Sequence, residues 1–401
     1  MAAFATPELT RLTPEEELHW LALRMVPGLG PRRGHELLER FRSPVMLFRA
    51  GVSDLEGLGL SGSLARTIAS GCVFEDAVRQ QERLKATGTL LVTFVDPRYP
   101  ARLREIYDPP LMLFTRGRTE LLNQVAVAIV GTRAPSAYGT LAAARLGTDL
   151  ARAGLTIVSG MARGIDTSAH KACLEAEGDT VAIFGSGVDV IYPAENRRLA
   201  EEIAQKGLLA SEFPMAAPSY PQNFPIRNRI VSGISAGVVV VEGAQYSGSA
   251  ITARLAMDQG REVFGVPGNI TSKQSWGPNL LIRQGATLVQ SWQDVVEQLN
   301  PEDKRELSSR HAAGLTGTGT ATNQMNLAED GNTAPDPLTD PRGRLRQDIL
   351  RNLAFDKPTH LDHLIEVLDT HSSTELIAGL FDLELDGIVR QLPGRQYIKV
   401  W

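Results

Sequence analysis

Apolar and polar positions divide the chain into four stretches. From Thr13 to about Ala86, apolar residues recur at helical spacing and the breaks are glycine-rich. Leu90 to Gly117 reads as a connecting stretch, where Asp96-Pro97-Arg98-Tyr99-Pro100 and Tyr107-Asp108-Pro109-Pro110 impose extended and turning backbone. From Val125 to about Gln298, strand and helix signals alternate. The strand-like runs are Val125–Val130, Leu155–Val158, Val181–Phe184, Val238–Val241 and Val263–Val266, with shorter candidates at Leu208–Ala210 and Thr287–Val289. Amphipathic stretches at Tyr138–Ala153, Ile165–Glu177, Asn196–Lys206, Ser249–Gln259 and Asn279–Gln284 separate them. Arg344 to Trp401 shows three short helices and a terminal β-hairpin turning at Pro393-Gly394, with Leu376, Leu380 and Leu383 on one helical face.

Near-continuous Val/Ile strands are buried on both faces, so helices must cover both sides. The expected fold is α/β: a doubly wound, extended Rossmann-like parallel sheet with right-handed crossovers. The expected domains are a helical one over 1–88, the Rossmann-like one over 89–300, a linker over 301–343 and a winged-helix module over 344–401. His311 to Asp340 is rich in Gly, Thr, Ala, Asn, Asp and Pro, and is expected to be flexible because it buries too little surface to offset ordering entropy. In the helical part, Val26-Pro27-Gly28-Leu29-Gly30-Pro31 and Leu55-Glu56-Gly57-Leu58-Gly59-Leu60 are alike. Such hydrophobic-Gly-x-Gly turns resemble helix-hairpin-helix or SAM-like units, whose backbone amides can hold phosphate. Glycine also serves there simply to make a tight packing turn.

Length and composition fit two or three soluble domains: 401 residues, 43% hydrophobic and 22% charged. Cys72 and Cys173 are the only cysteines and form no CxxC pair, so neither a zinc site nor a disulfide framework is expected. No signal peptide or membrane-spanning run is visible, and a cytoplasmic location is expected. The net charge of −5 argues mildly against a polyanionic partner, but charge is segregated. Positions 221–283 hold six basic residues (Arg227, Arg229, Arg254, Arg261, Lys273 and Arg283) against three acidic ones.

Open parallel sheets bind ligands beyond the carboxyl ends of their strands. The runs following the strands there are Gly131-Thr132-Arg133, Ser159-Gly160-Met161-Ala162-Arg163-Gly164, Gly185-Ser186-Gly187, Ser247-Gly248-Ser249 and Pro267-Gly268. Each alone is a common βα turn; together they mark one sheet edge for close backbone approach and phosphate. Neither GxGxxG nor GxxxxGK[ST] occurs, which removes the dinucleotide and P-loop fingerprints.

The most specific run is Phe224-Pro225-Ile226-Arg227-Asn228-Arg229. Arginine suits phosphate, asparagine a base edge or sugar, and Phe224 base stacking, with Tyr220 and Tyr246 nearby. The competing reading pairs the arginines with Glu242 or Glu212 as structural ion pairs, one arginine doing so while the other binds. Asp166 and His170 share a helical face and read as a structural pair rather than a catalytic one. Ser159 and Ser247 lack a histidine partner in any recognised pattern, and the scattered histidines supply no metal set.

These runs, in this order, resemble the DNA-processing protein A (DprA/Smf) family, over nearly the whole chain and most densely from Asp96 to Val289. Val130-Gly131-Thr132-Arg133, Ala162-Arg163-Gly164-Ile165-Asp166, Tyr192-Pro193, Phe224-Pro225 with Arg227-Asn228-Arg229, and Ser247-Gly248-Ser249 carry the resemblance. The resemblance implies a non-catalytic protein without cofactors or metal. Such a protein binds single-stranded DNA in a basic pocket, and duplex DNA more weakly. It also implies a homodimer that helps load the recombinase RecA during natural transformation. The implied DNA-binding residues are Gly131, Thr132, Arg133, Gly160, Arg163, Phe224, Arg227, Asn228, Arg229, Ser247, Gly248, Ser249 and Lys273. The alternative is a nucleotide-processing enzyme of the phosphoribohydrolase type, but the Pro-Gly-Gly-x-Gly-Thr run of such enzymes is absent.

The C-terminal module carries seven basic and nine acidic residues, and its stretch from Thr374 to Arg390 holds four carboxylates against one arginine. A helix that reads a DNA groove needs the opposite sign. Residues 344–401 expressed alone are therefore expected not to retard duplex DNA in a gel shift at moderate salt; a retarded band would contradict this.

Overall fold

The computed structural model describes residues 12–245 and 247–316, and in the C-terminal region 345, 348–353, 359–368, 376, 379–380, 383–384, 389–392 and 396–399. Six helices open the chain: α1 (Pro14–Met25), α2 (Pro31–Phe41), α3 (Pro44–Phe48), α4 (Val52–Gly57), α5 (Gly62–Ser70) and α6 (Phe74–Thr87). Local chemistry sets their ends. Thr13 and Glu16 form a capping box on α1, and Ser43 and Ser61 cap α3 and α5. Gly28 and Gly59 sit at φ +78° and +81°, a left-handed backbone that glycine adopts freely, so both Gly-x-Gly runs are true turns. Arg33 ties the two turns together by donating to the Leu58 carbonyl at 2.5 Å.

The sheet has nine strands in the order β1-β2-β6-β5-β4-β3-β7-β8-β9. They are β1 (Leu90–Thr93), β2 (Met112–Gly117), β3 (Ala126–Val130), β4 (Thr156–Ser159), β5 (Thr180–Ile183), β6 (Leu208–Ser211), β7 (Gly237–Val240), β8 (Glu262–Gly265) and β9 (Thr287–Leu288). Strands β3 to β9 pair in parallel, whereas β1 and β2 form an antiparallel edge beside β6. The expected connecting stretch at Leu90–Gly117 therefore contains two strands with a short helix, α7 (Ala101–Arg104), between them.

Between the parallel strands run α8 (Ala137–Arg152), α9 (Ile165–Glu175), α10 (Arg197–Lys206), α11 (Asn223–Gly233), α12 (Gly248–Asp258) and α13 (Trp276–Arg283). Alternate strand residues serve opposite faces. Ala126, Ala128 and Val130 join Ile230 and Ala253 of α11 and α12 on one side. Val127 and Ile129 join Leu146 and Ala169 of α8 and α9 on the other.

Two features differ from the expected domain plan. The core of the first six helices runs on into Leu91, Met112 and Phe114 of β1 and β2, so this part packs directly on the antiparallel edge. The linker expected from residue 301 starts later, because α14 (Trp292–Gln298) is followed by α15 (Pro301–Thr316). Buried Leu307 fixes α15 to the sheet-side core, and its buried Asp303 pairs with Arg102. The remainder of that expected linker lies outside the described residues.

The chain divides into two units, 1–320 and 321–401. In the second, β10 (Thr359–His360), β12 (Gln396–Lys399) and β11 (Val389–Leu392) form an antiparallel sheet in that order. Helix Leu361–Val367 follows β10, and Leu376, Leu380 and Leu383 are all buried in this unit's own core. The turn expected at Pro393-Gly394 lies outside the described residues.

Arg229 of α11 is the polar bolt of the first unit. It is buried and bonds both carboxylate oxygens of Glu212, at 2.8 and 2.7 Å, and Asp108 at 2.9 Å. It joins α11 to the segment after β6 and to the loop before β2. Removing one partner of a buried pair strands the other charge, at a cost of about 3–5 kcal/mol. Arg229→Met is expected to lower the unfolding free energy by about that amount in urea titration. Adding Glu212→Leu is expected to restore much of the loss.

Candidate nucleic-acid interface

A cavity of about 570 Å³ opens at the carboxyl edge of the sheet. Its walls come from three of the glycine-rich loops and one helix: Gly131-Thr132-Arg133 after β3, Gly160 and Ala162 after β4, Ser247-Gly248-Ser249 opening α12, and Phe224, Pro225, Arg227 and Asn228 of α11.

The loop after β3 is held by Glu242. This buried carboxylate accepts the Ser136 amide at 2.9 Å and the Ser136 hydroxyl at 2.6 Å. The Thr132 amide donates to the Glu242 carbonyl at 2.7 Å. Gly139 leaves room for that carboxylate, since a β-carbon there would collide with it. Glu242 thus serves the loop rather than an arginine. Arg133, displayed by this loop, is exposed and forms no ion pair among the described residues. Its guanidinium lies 5.2 Å from the centre of the Phe224 ring.

Arg227 forms the floor. It is buried, and its Nη1 donates to the Gly160 carbonyl at 2.5 Å and to the Ile183 carbonyl at the end of β5. Its Nε has no partner among the described residues. Burial pulls its pKa down to about 10, with Asp166 opposing, so the guanidinium stays charged at neutral pH. Asp166 is buried beside it and accepts the Gly160 and Ala162 amides at 3.1 and 3.2 Å. Burial raises the Asp166 pKa, against the pull of Arg227 and those amides. Gly160 is required by this arrangement, because a β-carbon would strike the Arg227 guanidinium. Phe224 lies beside both arginines, with the Arg227 guanidinium 5.9 Å from its ring centre.

At the opposite wall, Ser247 caps α12 by accepting the Ala250 amide at 3.4 Å and bonds the Ser249 hydroxyl at 2.8 Å. Asn228 reaches the Gly248 carbonyl at 3.4 Å. The helix start thereby aims partial positive charge at the cavity.

Among the residues expected from sequence, Gly131, Thr132, Arg133, Gly160, Phe224, Arg227, Asn228, Ser247, Gly248 and Ser249 line this one cavity. Arg163 stands at its rim, in a small side recess with Arg133 and Phe224, and pairs with exposed Glu195 at 2.6 Å. Lys273 is exposed and does not line the cavity, although its neighbour Gln274 bonds the Ala134 carbonyl in the Arg133 loop. Arg229 is a correction. It points away from the cavity, into the buried pair with Glu212, because residues two apart on a helix face different ways. Tyr220 is exposed but outside the lining, and Tyr246 is outside the described residues.

Tyr192 was missed as a site residue. It lines the cavity, and its ring centre lies 5.6 Å from that of Phe224. Its position depends on how the long loop after β5 turns back, which no spacing in the sequence encodes.

His170 takes no part in the cavity. Its Nδ1 lies 2.7 Å from the Thr180 hydroxyl. That hydroxyl donates to the Ile157 carbonyl, so Nδ1 must be the donor to it and Nε2 carries no proton. Burial lowers the His170 pKa to about 3.

A doubly wound sheet with a glycine-lined, arginine-floored cleft at its carboxyl edge defines a Rossmann-like protein. Residues 90–300 match the family model for DNA recombination-mediator protein A, and residues 333–395 match the DprA winged helix domain. The chain therefore belongs to the DprA/Smf family of DNA-processing recombination mediators. It is 33% identical over 408 residues to protein Smf of Synechocystis sp., covering 95% of this chain and 98% of that protein. It is 45% identical over 203 residues to the DNA processing protein DprA of Bacillus subtilis, covering 50% of this chain and 68% of that one. Among solved structures, DprA of Streptococcus pneumoniae superposes with a TM-score of 0.60 at 35% identity, covering 72% of this chain and 99% of that chain. Among the described residues, no helix is long and apolar enough to cross a membrane.

A buried neutral histidine binds fewer protons than it does unfolded, so its stabilising contribution is present above pH ~6.5 and is lost as pH falls toward about 3. His170→Gln is expected to flatten the acid limb of the stability profile between those values, as read by thermal unfolding at stepped pH.

Proposed function

We propose that this chain binds single-stranded DNA in the cavity at the carboxyl edge of the sheet and acts there without catalysis. The observation that carries the reading is the pair of guanidiniums, Arg133 and Arg227, facing one aromatic ring, Phe224. A phosphate settles between a mobile exposed cation and a fixed buried one. A base stacks on the ring, and the amides opening α12 take the next phosphate. Such contacts follow backbone and ring faces rather than base edges, so base preference is small. Duplex DNA is the weaker ligand, because its bases are not free to stack.

The non-catalytic reading rests on how the reactive groups are employed. Asp166 is occupied by two backbone amides, and His170 is neutral and turned to Thr180. In keeping with the family resemblance, the protein works in the cytoplasm as a homodimer that delivers single strands to the recombinase RecA.

Arg133→Ala and Arg227→Lys are the direct tests. Fluorescence anisotropy with labelled oligothymidine is expected to show roughly tenfold or greater weakening for each folded variant. Wild-type affinity is expected to fall steeply as salt rises, because phosphate neutralisation releases counterions. Unchanged affinity in both variants, or salt-independent binding, would overturn the reading.

A further inference from the structure

A second cavity, of about 430 Å³, lies where α2 meets the loops flanking β1 and β2. Three arginines line it, from two elements: Arg32 near the start of α2, Arg42 just past the end of α2, and Arg104 at the end of α7. None of the three forms an ion pair among the described residues. Of the two carboxylates in the lining, Glu36 is occupied by Arg33 at 2.5 Å, which leaves Glu39 as the opposing charge. His35, also in the lining, is turned to the Pro109 carbonyl at 3.0 Å.

Aromatic surface accompanies this charge. Tyr107 is 76% exposed, with the Arg32 guanidinium 4.3 Å from its ring centre. Arg104 lies 5.5 Å from the rings of both Phe94 and Tyr99. Neighbouring Val95 is 62% exposed. A bare tyrosine with a guanidinium already over it, in a concave and cationic setting, is chemistry for stacking a base and neutralising its phosphate. The glycine turn at Gly28–Pro31 adds to it, because Gly30 caps α2 without a side chain to occupy the first-turn amides.

The second cavity is joined to the first by one helix and one loop. Phe224, Arg227 and Asn228 of α11 line the first cavity, while Ile226 and Arg229 of the same helix line an intermediate hollow of about 370 Å³. Asp108 and Pro110 border that hollow, and Tyr107 and Pro109 of the same loop border the second cavity. Leu29, Gly30 and Pro31 of the glycine turn form the hollow's other side. The charges inside it balance, since Arg229 pairs with Glu212 and Asp108 and Arg24 supplies the second positive charge. Ile226, 44% exposed, offers an apolar step across it.

We infer that the single strand held in the sheet-edge cavity continues over Ile226 and past the Gly28–Pro31 turn, and that a further nucleotide stacks on Tyr107 with its phosphate at Arg32 and Arg42. The inference rests on the proposed function and extends its track onto the helical part of the chain.

Oligonucleotide length separates the two. Full-length protein is titrated with oligothymidines of about 6 and about 20 nucleotides, which bracket common single-strand site sizes. Tyr107→Ala and Arg32→Ala change exposed side chains and are expected to weaken binding of the longer strand roughly tenfold while leaving the shorter one unchanged; Tyr107→Phe is expected to retain the wild-type length dependence. Free thymidine monophosphate as competitor is expected not to displace the longer strand at concentrations where a second long strand does. Equal effects on both lengths, no effect on either, or displacement by the mononucleotide would overturn the extended track. Arg133→Ala serves as the internal reference. If it leaves both lengths bound at wild-type strength, it is the sheet-edge site that fails, whatever the Tyr107 variants do.

Discussion

A permanent charge kept under the surface organises this molecule. Arg227 is shielded from water, yet burial does not discharge it: the Gly160 and Ile183 carbonyls accept its hydrogen bonds and Asp166 stands beside it. That solution works only where strand ends present unpaired carbonyls, which is the carboxyl edge of a parallel sheet. It also requires glycine at 160, since any side chain would occupy the guanidinium's place. The position of α11, the shape of the loop after β4 and the depth of the cleft all follow from seating that one group.

Much of this was legible in the sequence because burial on both faces leaves a plain trace. The Val/Ile runs forecast seven of the nine strands, the amphipathic stretches forecast five of the six crossover helices, all but α11, and the short polar runs gave ten residues of one cavity. What escaped lacked such a trace. Strands β1 and β2 are short and lie among prolines; β1 pairs only with β2, and β2 pairs onward with the sequence-distant β6, so pairing rather than local preference makes them strands. The helix over 301–316 has a weakly apolar sequence, and it gains order from Leu307 and Asp303, whose partners are distant.

The two arginines of α11 carry a similar lesson. Read as a string, Arg227 and Arg229 are equivalent. Wound at about 100° per residue, they stand roughly 200° apart, so one enters the cleft and the other the interior seam. The same winding places Ile226 between the two environments. A cluster of like residues in sequence thus became one floor, one bolt and one step, and only the periodicity of the helix separates those duties.

The Glu242–Ser136 clasp has a consequence of its own. A displayed arginine on a slack loop would have to surrender its freedom at the moment a ligand arrives, and affinity would be reduced accordingly. Here two hydrogen bonds donated by Ser136 to a buried carboxylate immobilise the loop's base while the protein folds. Only the outermost bonds of the Arg133 side chain are left to settle at encounter. The carboxylate never touches the guest, yet it decides how much disorder the host must give up to receive it.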